Sequence, residues 1–248
     1  MKNTFEMQGD IVKPESVLDL NLEEVFEGDD KYNEAEIIFA NEKRSKTEVE
    51  DNLRVRLAAD HWWLQDYWHN KNIKEQVIIN LGDIEFSIYN FGEQLSSEQI
   101  EQIKSIFLLF SSFKNSKMFE KVKAVLIDDV QLINQNTGEA ANGYGAGDKA
   151  IKLYPNAFKL IEHRVSGVSN LEGTVIHELS HSIGSEFEKE WSERFGWKQR
   201  KNAEKLPNGL YSTEYNNDLD KCVTEYAKIN SKEDICESMV AALKIQMY

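Results

Sequence analysis

Basic residues are scarce in this 248-residue chain: 29 Lys and Arg stand against 43 Asp and Glu, giving a net charge of −14. That balance argues against a nucleic-acid partner, because phosphate contacts need Lys and Arg clustered on one face. Cysteine is scarcer still. Cys222 and Cys236 are the only two; they are too few for a disulfide framework, and nothing signals a single bridge between them. No run approaches the roughly 18 apolar residues that a membrane-crossing helix needs. The opening residues, MKNTFEMQGDIVKPESVLDL, lack the apolar centre of a signal peptide. The expectation is a soluble, cytoplasmic protein, with export by another route left open. Apolar material is sufficient, because 41% hydrophobic and 10% aromatic residues exclude wholesale disorder. The length suits one globular domain with an extension.

The acidity is uneven. Residues 1–60 hold 16 Asp and Glu against 8 Lys and Arg, and residues 1–46 are expected to form an acidic, partly flexible extension rather than an interaction arm. Thr47-x-x-Glu50 is a capping box, followed by Val49, Leu53, Leu57, Leu64 and Trp68 at helical spacing. The run Trp62, Trp63, Tyr67, Trp68 reads as a core or subunit contact in preference to a ligand platform. From Gln76 the period shortens. Val77-Ile78-Ile79, the turn Leu81-Gly82-Asp83 and residues 84–91 predict a hairpin, so residues 47–95 are expected as a helix-plus-hairpin unit of unknown role. Ser96 or Ser97 opens a helix with Ile100, Ile103, Ile106, Phe107 and Phe110 on its core stripe. Strands are expected at 122–127 and 150–154, with a polar, Gly-rich connection (134–148) between them. Strands that precede helices predict an α+β fold with a small mixed sheet.

Residues 174–184 read TVIHELSHSIG and contain His177-Glu178-x-x-His181. On a helix, i and i+4 share a face, so both imidazoles can reach one metal ion about 2.0–2.1 Å from each nitrogen. Glu178 then stands where it can take a proton from a metal-bound water. A helix is expected there: Ser169-x-x-Glu172 caps its start, Gly184 terminates it, and Leu171, Val175, Leu179 and Ile183 form its apolar face. A competing reading is a histidine pair on an ordinary amphipathic helix.

Catalytic zinc sites use three protein ligands and leave a position for water. No histidine follows His181, so the third ligand is a carboxylate or a cysteine. The best segment is 225–243, EYAKINSKEDICESMVAAL, where Asn230 or Ser231 caps a helix with Cys236, Val240 and Leu243 on its apolar stripe. Glu233 and Glu237 continue that stripe, an expensive placement unless the carboxylates are paired or metal-bound. The alternative is a solvated first turn favoured by the helix dipole.

Together the two segments resemble the catalytic domain of the anthrax lethal factor-like metallopeptidases, a gluzincin group that includes the clostridial Pro-Pro endopeptidases. That family joins HExxH to a later Tyr-x6-Glu-x-x-x-Glu segment, matched here by Tyr226 and Glu233-Asp234-Ile235-Cys236-Glu237. The likeness extends over residues 96–248 at most. It implies a zincin-like domain, one zinc ion bound by His177, His181 and Glu233, and Glu178 as general base. Tyr226 would face the developing oxyanion, and Glu237 would orient a ligand histidine. The implied activity is zinc-dependent endopeptidase, on a protein or peptide bound extended at the sheet edge near residues 150–154. Cys236 stands where the family has Ala, and Ile235 replaces an aromatic; Cys236 is read as a small apolar residue whose thiol, if it faced the zinc, would compete for it. Two alternatives remain. One is a structural Cys2His2 zinc site in a binding module, using Cys222 and Cys236. The other is the same fold held inactive, with the acidic N-terminal region engaging a partner.

Overall fold

A computed structural model describes residues 37–39, 74–81, 84–111, 122, 124–135, 137–145 and 150–247. The helix expected from Thr47, with Trp62, Trp63, Tyr67 and Trp68, lies outside the described residues, as does nearly all of the acidic extension. The described part is a mixed α+β fold, in agreement with the expected class.

Six strands form one sheet: β1 (Ile37–Phe39), β2 (Glu75–Leu81), β3 (Ile84–Asn90), β4 (Ala124–Ile127), β5 (Gly143–Gly145) and β6 (Ala150–Leu153), in the order β1-β2-β3-β4-β6-β5. The expected hairpin is β2–β3, with Leu81 opposite Ile84 and only Gly82-Asp83 between them. Val77, Ile79, Phe86 and Ile88 alternate onto the core. β3 pairs with β4, and β4 with β6, both in parallel. These two inner strands are buried along their whole length, as strands covered on both faces must be. The hairpin of the unit expected at 47–95 is therefore continuous with the sheet of the segment that follows it.

A parallel pair needs a long crossover, and α1 (Ser97–Ser111) lies on the connection from β3 to β4. Its start is a reciprocal cap: Ser96 Oγ accepts from the Gln99 amide at 3.2 Å, and Gln99 Oε1 accepts from the Ser96 amide at 2.9 Å. Ile100, Ile103, Ile106 and Phe110 are buried, and Phe107 stacks on Phe86 at 3.8 Å.

Two expectations need correction. The sheet edge is β5, not residues 150–154: β6 is enclosed between β4 and β5, with Gly143 opposite Leu153 and Gly145 opposite Ile151. Gly-Tyr-Gly carries no apolar period, so its strand character comes from its neighbours. Gly184 does not terminate the HExxH helix. That helix, α2 (Asn170–Ser180), ends in a turn where the Ser182 and Ile183 amides bond Leu179 and Ser180 carbonyls, and Gly184 (φ −66°) is the N-cap of α3 (Ser185–Phe195). The glycine that ends a helix in the left-handed conformation here is Gly196, at φ 83°, the C-cap of α3.

A hairpin of β7 (Lys198–Lys205) and β8 (Tyr211–Tyr215) follows, and then α4 (Ser231–Met247). Asn230 Oδ1 caps α4 by accepting from the Glu233 amide at 2.9 Å. One buried carboxylate fastens α4 to α3: Asp234 Oδ2 accepts the Trp191 indole N–H at 2.8 Å and the Trp197 indole N–H at 3.0 Å. Asp234→Ala strands both donors, at about 1–3 kcal/mol each. Urea unfolding should show a loss of roughly 2–5 kcal/mol; an unchanged midpoint refutes the clasp.

Candidate metal centre

The pocket is built on α2. Ser169 Oγ accepts from the Glu172 amide at 3.2 Å and donates to the Glu172 carboxylate at 2.7 Å, so the expected capping pair forms. Leu171, Val175, Ile176 and Leu179 anchor α2 in the core. With the helix so fixed, His177 and His181 project side by side, their rings 5.0 Å apart at 77°.

α4 delivers the third group. Glu233 Oε2 lies 3.0 Å from His177 Nε2 and 3.8 Å from His181 Nε2. It is nonetheless a buried oxygen with no hydrogen-bond partner of acceptable geometry. Two ligand atoms about 2.0–2.1 Å from one ion at the tetrahedral angle stand roughly 3.3–3.4 Å apart, a separation these two distances bracket. Convergent donor atoms and an oxygen left without a hydrogen bond fit a divalent cation between them.

A second donor set overlaps the first. His177, His181 and Cys236 offer ligand atoms within 4.8 Å of one another, and Cys236 Sγ lies 3.5 Å from His181 Nδ1. The sequence predicts a space-filling role for Cys236; its burial agrees, but its thiol touches a candidate ligand. Burial, with Glu233 and Glu178 nearby, pushes that thiol well above its usual range and keeps it protonated in the metal-free chain. Cys222 is not brought to the histidines. Its thiol faces Asp234, and burial pushes it up to about 12, so the Cys2His2 arrangement does not assemble.

Glu178 is buried, with Oε2 3.9 Å from His181 Nε2. Burial pushes its carboxyl up to about 7, against the lowering effect of His177. Strand β5 crosses directly above. A Cβ on Gly143 would lie 2.6 Å from Glu178 Cγ, and one on Gly145 would lie 3.0 Å from His181 Cβ. The Gly145 backbone also hydrogen-bonds the Glu178 carboxylate. Close approach thus requires a glycine at 143 and favours one at 145.

Glu237, fully buried, lies with Oε1 2.8 Å from His177 Nδ1, and its Oε2 accepts from Thr224 Oγ1 at 2.9 Å. Burial alone would raise Glu237; the His177 contact overrides it and holds the carboxyl low. Tyr226 stands 5.8 Å from the His177 ring, and burial raises its phenol. Arg164 lies 3.9 Å above the Tyr226 ring centre and 3.7 Å from Glu237 Oε1. Neither Arg164 nor Thr224 is identifiable from sequence: both contacts span long loops and follow no helical period. Asn142, Gly143, Arg164, His177, Glu178 and Tyr226 line a cleft of about 60 Å³.

Removing Glu237 strands several buried groups at once. Glu237→Ala should destabilise the metal-free protein by roughly 3–5 kcal/mol in urea, with Glu237→Gln losing less. Equal stability in all three proteins contradicts the role drawn for this carboxylate.

Compared with known proteins, the chain matches no family model, no curated protein and no solved structure; its function is read from the arrangement of its own side chains.

Proposed function

We propose that the chain is a zinc-dependent metalloendopeptidase of zincin type. His177, His181 and Glu233 hold the ion, Glu178 is the general base, Tyr226 is the oxyanion donor and Glu237 orients His177. The observation that carries this reading is the Glu233 carboxylate oxygen, buried without a hydrogen bond and aimed between the two histidines of HExxH. The resemblance of the Tyr226–Glu237 segment to the lethal factor-like gluzincins supports it.

A zinc ion in this pocket supplies a Lewis acid that polarises the scissile carbonyl and acidifies the attacking water. The chain does the rest. Glu178 would accept the water's proton and return it to the leaving amine. Glu237 on Nδ1 leaves His177 Nε2 free to face the ion. The Tyr226 hydroxyl, kept protonated by burial, can donate to the oxyanion as negative charge develops there. A peptide laid antiparallel or parallel along β5 would continue the sheet past Tyr144, above Glu178.

A second reading is favoured by the Cys236 thiol: a thiolate site in which Cys236 replaces Glu233 beside His177 and His181. Cobalt substitution separates the two. The peptidase site should give no thiolate-to-cobalt charge-transfer band. Cys236→Ala should retain the metal, and Glu233→Ala should lose most of it; the reverse pattern selects the thiolate site.

Activity provides the direct test. Against a peptide library, Glu178→Gln should keep its zinc while losing about 10²–10⁴-fold in turnover. Cleavage near the wild-type rate means that another group activates the water. Tyr226→Phe should lose roughly 10²–10³-fold, mainly in kcat, with zinc content and thermal stability unchanged. A defect confined to KM rejects the oxyanion role.

A further inference from the structure

Tyr226 is poorly supported for a side chain asked to place a hydroxyl. It lies outside every α-helix and strand, one residue before a single 3-10 turn, Ala227–Ile229. What holds this segment acts on its backbone and on its neighbours: Thr224 Oγ1 accepts from the Ala227 amide at 3.1 Å and donates to Glu237 Oε2, the Ile229 amide bonds the Tyr226 carbonyl at 3.2 Å, and Ala227 and Ile229 are buried. A catalytic group on a loop needs a second constraint to hold its ring.

Arg164 is placed to supply it. The residue sits in the tight turn between β6 and α2, where the His163 amide bonds the Val168 carbonyl at 2.9 Å and the Val165 amide bonds His163 Nδ1 at 3.2 Å. From that fixed base the guanidinium reaches over the Tyr226 ring at 3.9 Å. Its Nη1 lies 3.7 Å from Glu237 Oε1, the oxygen that also meets His177 Nδ1. The side chain is 40% exposed, and an arginine with that much freedom would ordinarily sweep through solvent. Both of these contacts are instead with the candidate site. A flat guanidinium suits this place, since it can cover an aromatic face while still pointing an N–H toward a carboxylate.

We propose that Arg164 is a positioning residue: it clamps the Tyr226 ring against the Thr224–Glu237 side and so sets where the phenol hydroxyl stands relative to the two histidines. The proposal rests on the peptidase reading for its kinetic consequence but not for the contact itself. If Arg164 served only to balance Glu237, its loss would lower stability and leave the behaviour of Tyr226 alone.

A double-mutant cycle with a spectroscopic arm decides it. Arg164→Gln, Tyr226→Phe and the double variant are compared in kcat and KM on one cleaved peptide, with zinc affinity measured for each. Arg164→Gln should lower kcat by roughly 10–10²-fold, the scale of a catalytic group displaced by about an ångström, with KM within about threefold. In the Tyr226→Phe background the same substitution should change kcat by less than about threefold, because the hydroxyl it positions is gone. Arg164→Lys, which keeps the charge but not the flat stack, should fall between, and it also serves should the Gln variant fail to fold. In the metal-free proteins, ¹³C-tyrosine spectra should show the Tyr226 ring resonance, assigned by its absence in Tyr226→Phe, shifted or broadened by Arg164→Gln. An equal kcat loss in both backgrounds, or an unperturbed Tyr226 resonance, overturns the proposal. If the wild-type chain cleaves no peptide, the peptidase reading falls, and the spectra alone decide whether Arg164 holds the ring.

Discussion

The contact between Glu237 and His177, 2.8 Å between Oε1 and Nδ1 with both side chains out of solvent, is the constraint on which the rest of the pocket depends. A buried carboxylate is costly unless its oxygens are satisfied. Here the two oxygens divide the contacts between them. Oε1 faces His177 and, at longer range, Arg164, while Oε2 accepts from Thr224. Three segments are thereby drawn to one point on α4. Helix α2 has its rotation set by His177, the loop before Ala227 is tied through Thr224, and the turn ahead of α2 is reached through Arg164. Rotating α4 by one residue would break all three contacts together. The position of Glu233, one turn earlier on α4, follows from that same fixed rotation.

The opposite wall is set by an absence of side chains. β5 lies so close to α2 that a Cβ on Gly143 would collide with Glu178, and one on Gly145 would crowd His181. The polar network beneath the strand holds that approach: Asn142 Nδ2 donates to Asn170 Oδ1 at 2.8 Å, Asn156 donates to Asn142, and the Asn142 carbonyl accepts from the Tyr154 amide. Asn170 is the first residue of α2, so one hydrogen-bonded chain spaces the edge strand from the helix. Among the described residues β5 is the edge strand of the sheet and runs beside Glu178, so strand addition there would bring an extended peptide to the proposed base.

What was legible in the sequence was what local chemistry decides. The caps of α1, α2 and α4 are short-range exchanges between a side chain and an amide three residues on, so Ser169 could be read directly and Ser96 and Asn230 each as one of two adjacent candidates. The pairing of His177 with His181, and of Glu233 with Glu237, follows from helical periodicity alone. The failures share one cause. β5 has no pattern of its own, and its identity is fixed by β6 on one side and Glu178 above. Gly184 looked like a terminator because glycine commonly ends helices, yet α2 closes on its own Leu179 and Ser180 carbonyls and leaves the glycine to open α3. Arg164 meets Tyr226 across 62 positions of sequence, and no periodicity spans that distance.

Charge in the metal-free pocket is unevenly shared. Glu178, Glu233 and Glu237 crowd two imidazoles, and the two rings answer differently. Burial would lower His177, but carboxylates at both of its nitrogens push it up to about 10, whereas His181, with carboxylates only at longer range, is pushed down to about 4 by burial. His177, with Glu233 Oε2 3.0 Å from Nε2 and Glu237 Oε1 2.8 Å from Nδ1, is thus drawn toward its charged form from both sides. A divalent cation held by His177, His181 and Glu233 would take the place of any proton shared between His177 and Glu233. Binding of that kind stabilises the folded chain and releases a proton in the same event. In the proposed enzyme, fold stability and readiness for chemistry would then be coupled through the same two atoms, and Glu237, which holds His177 from behind, would be common to both.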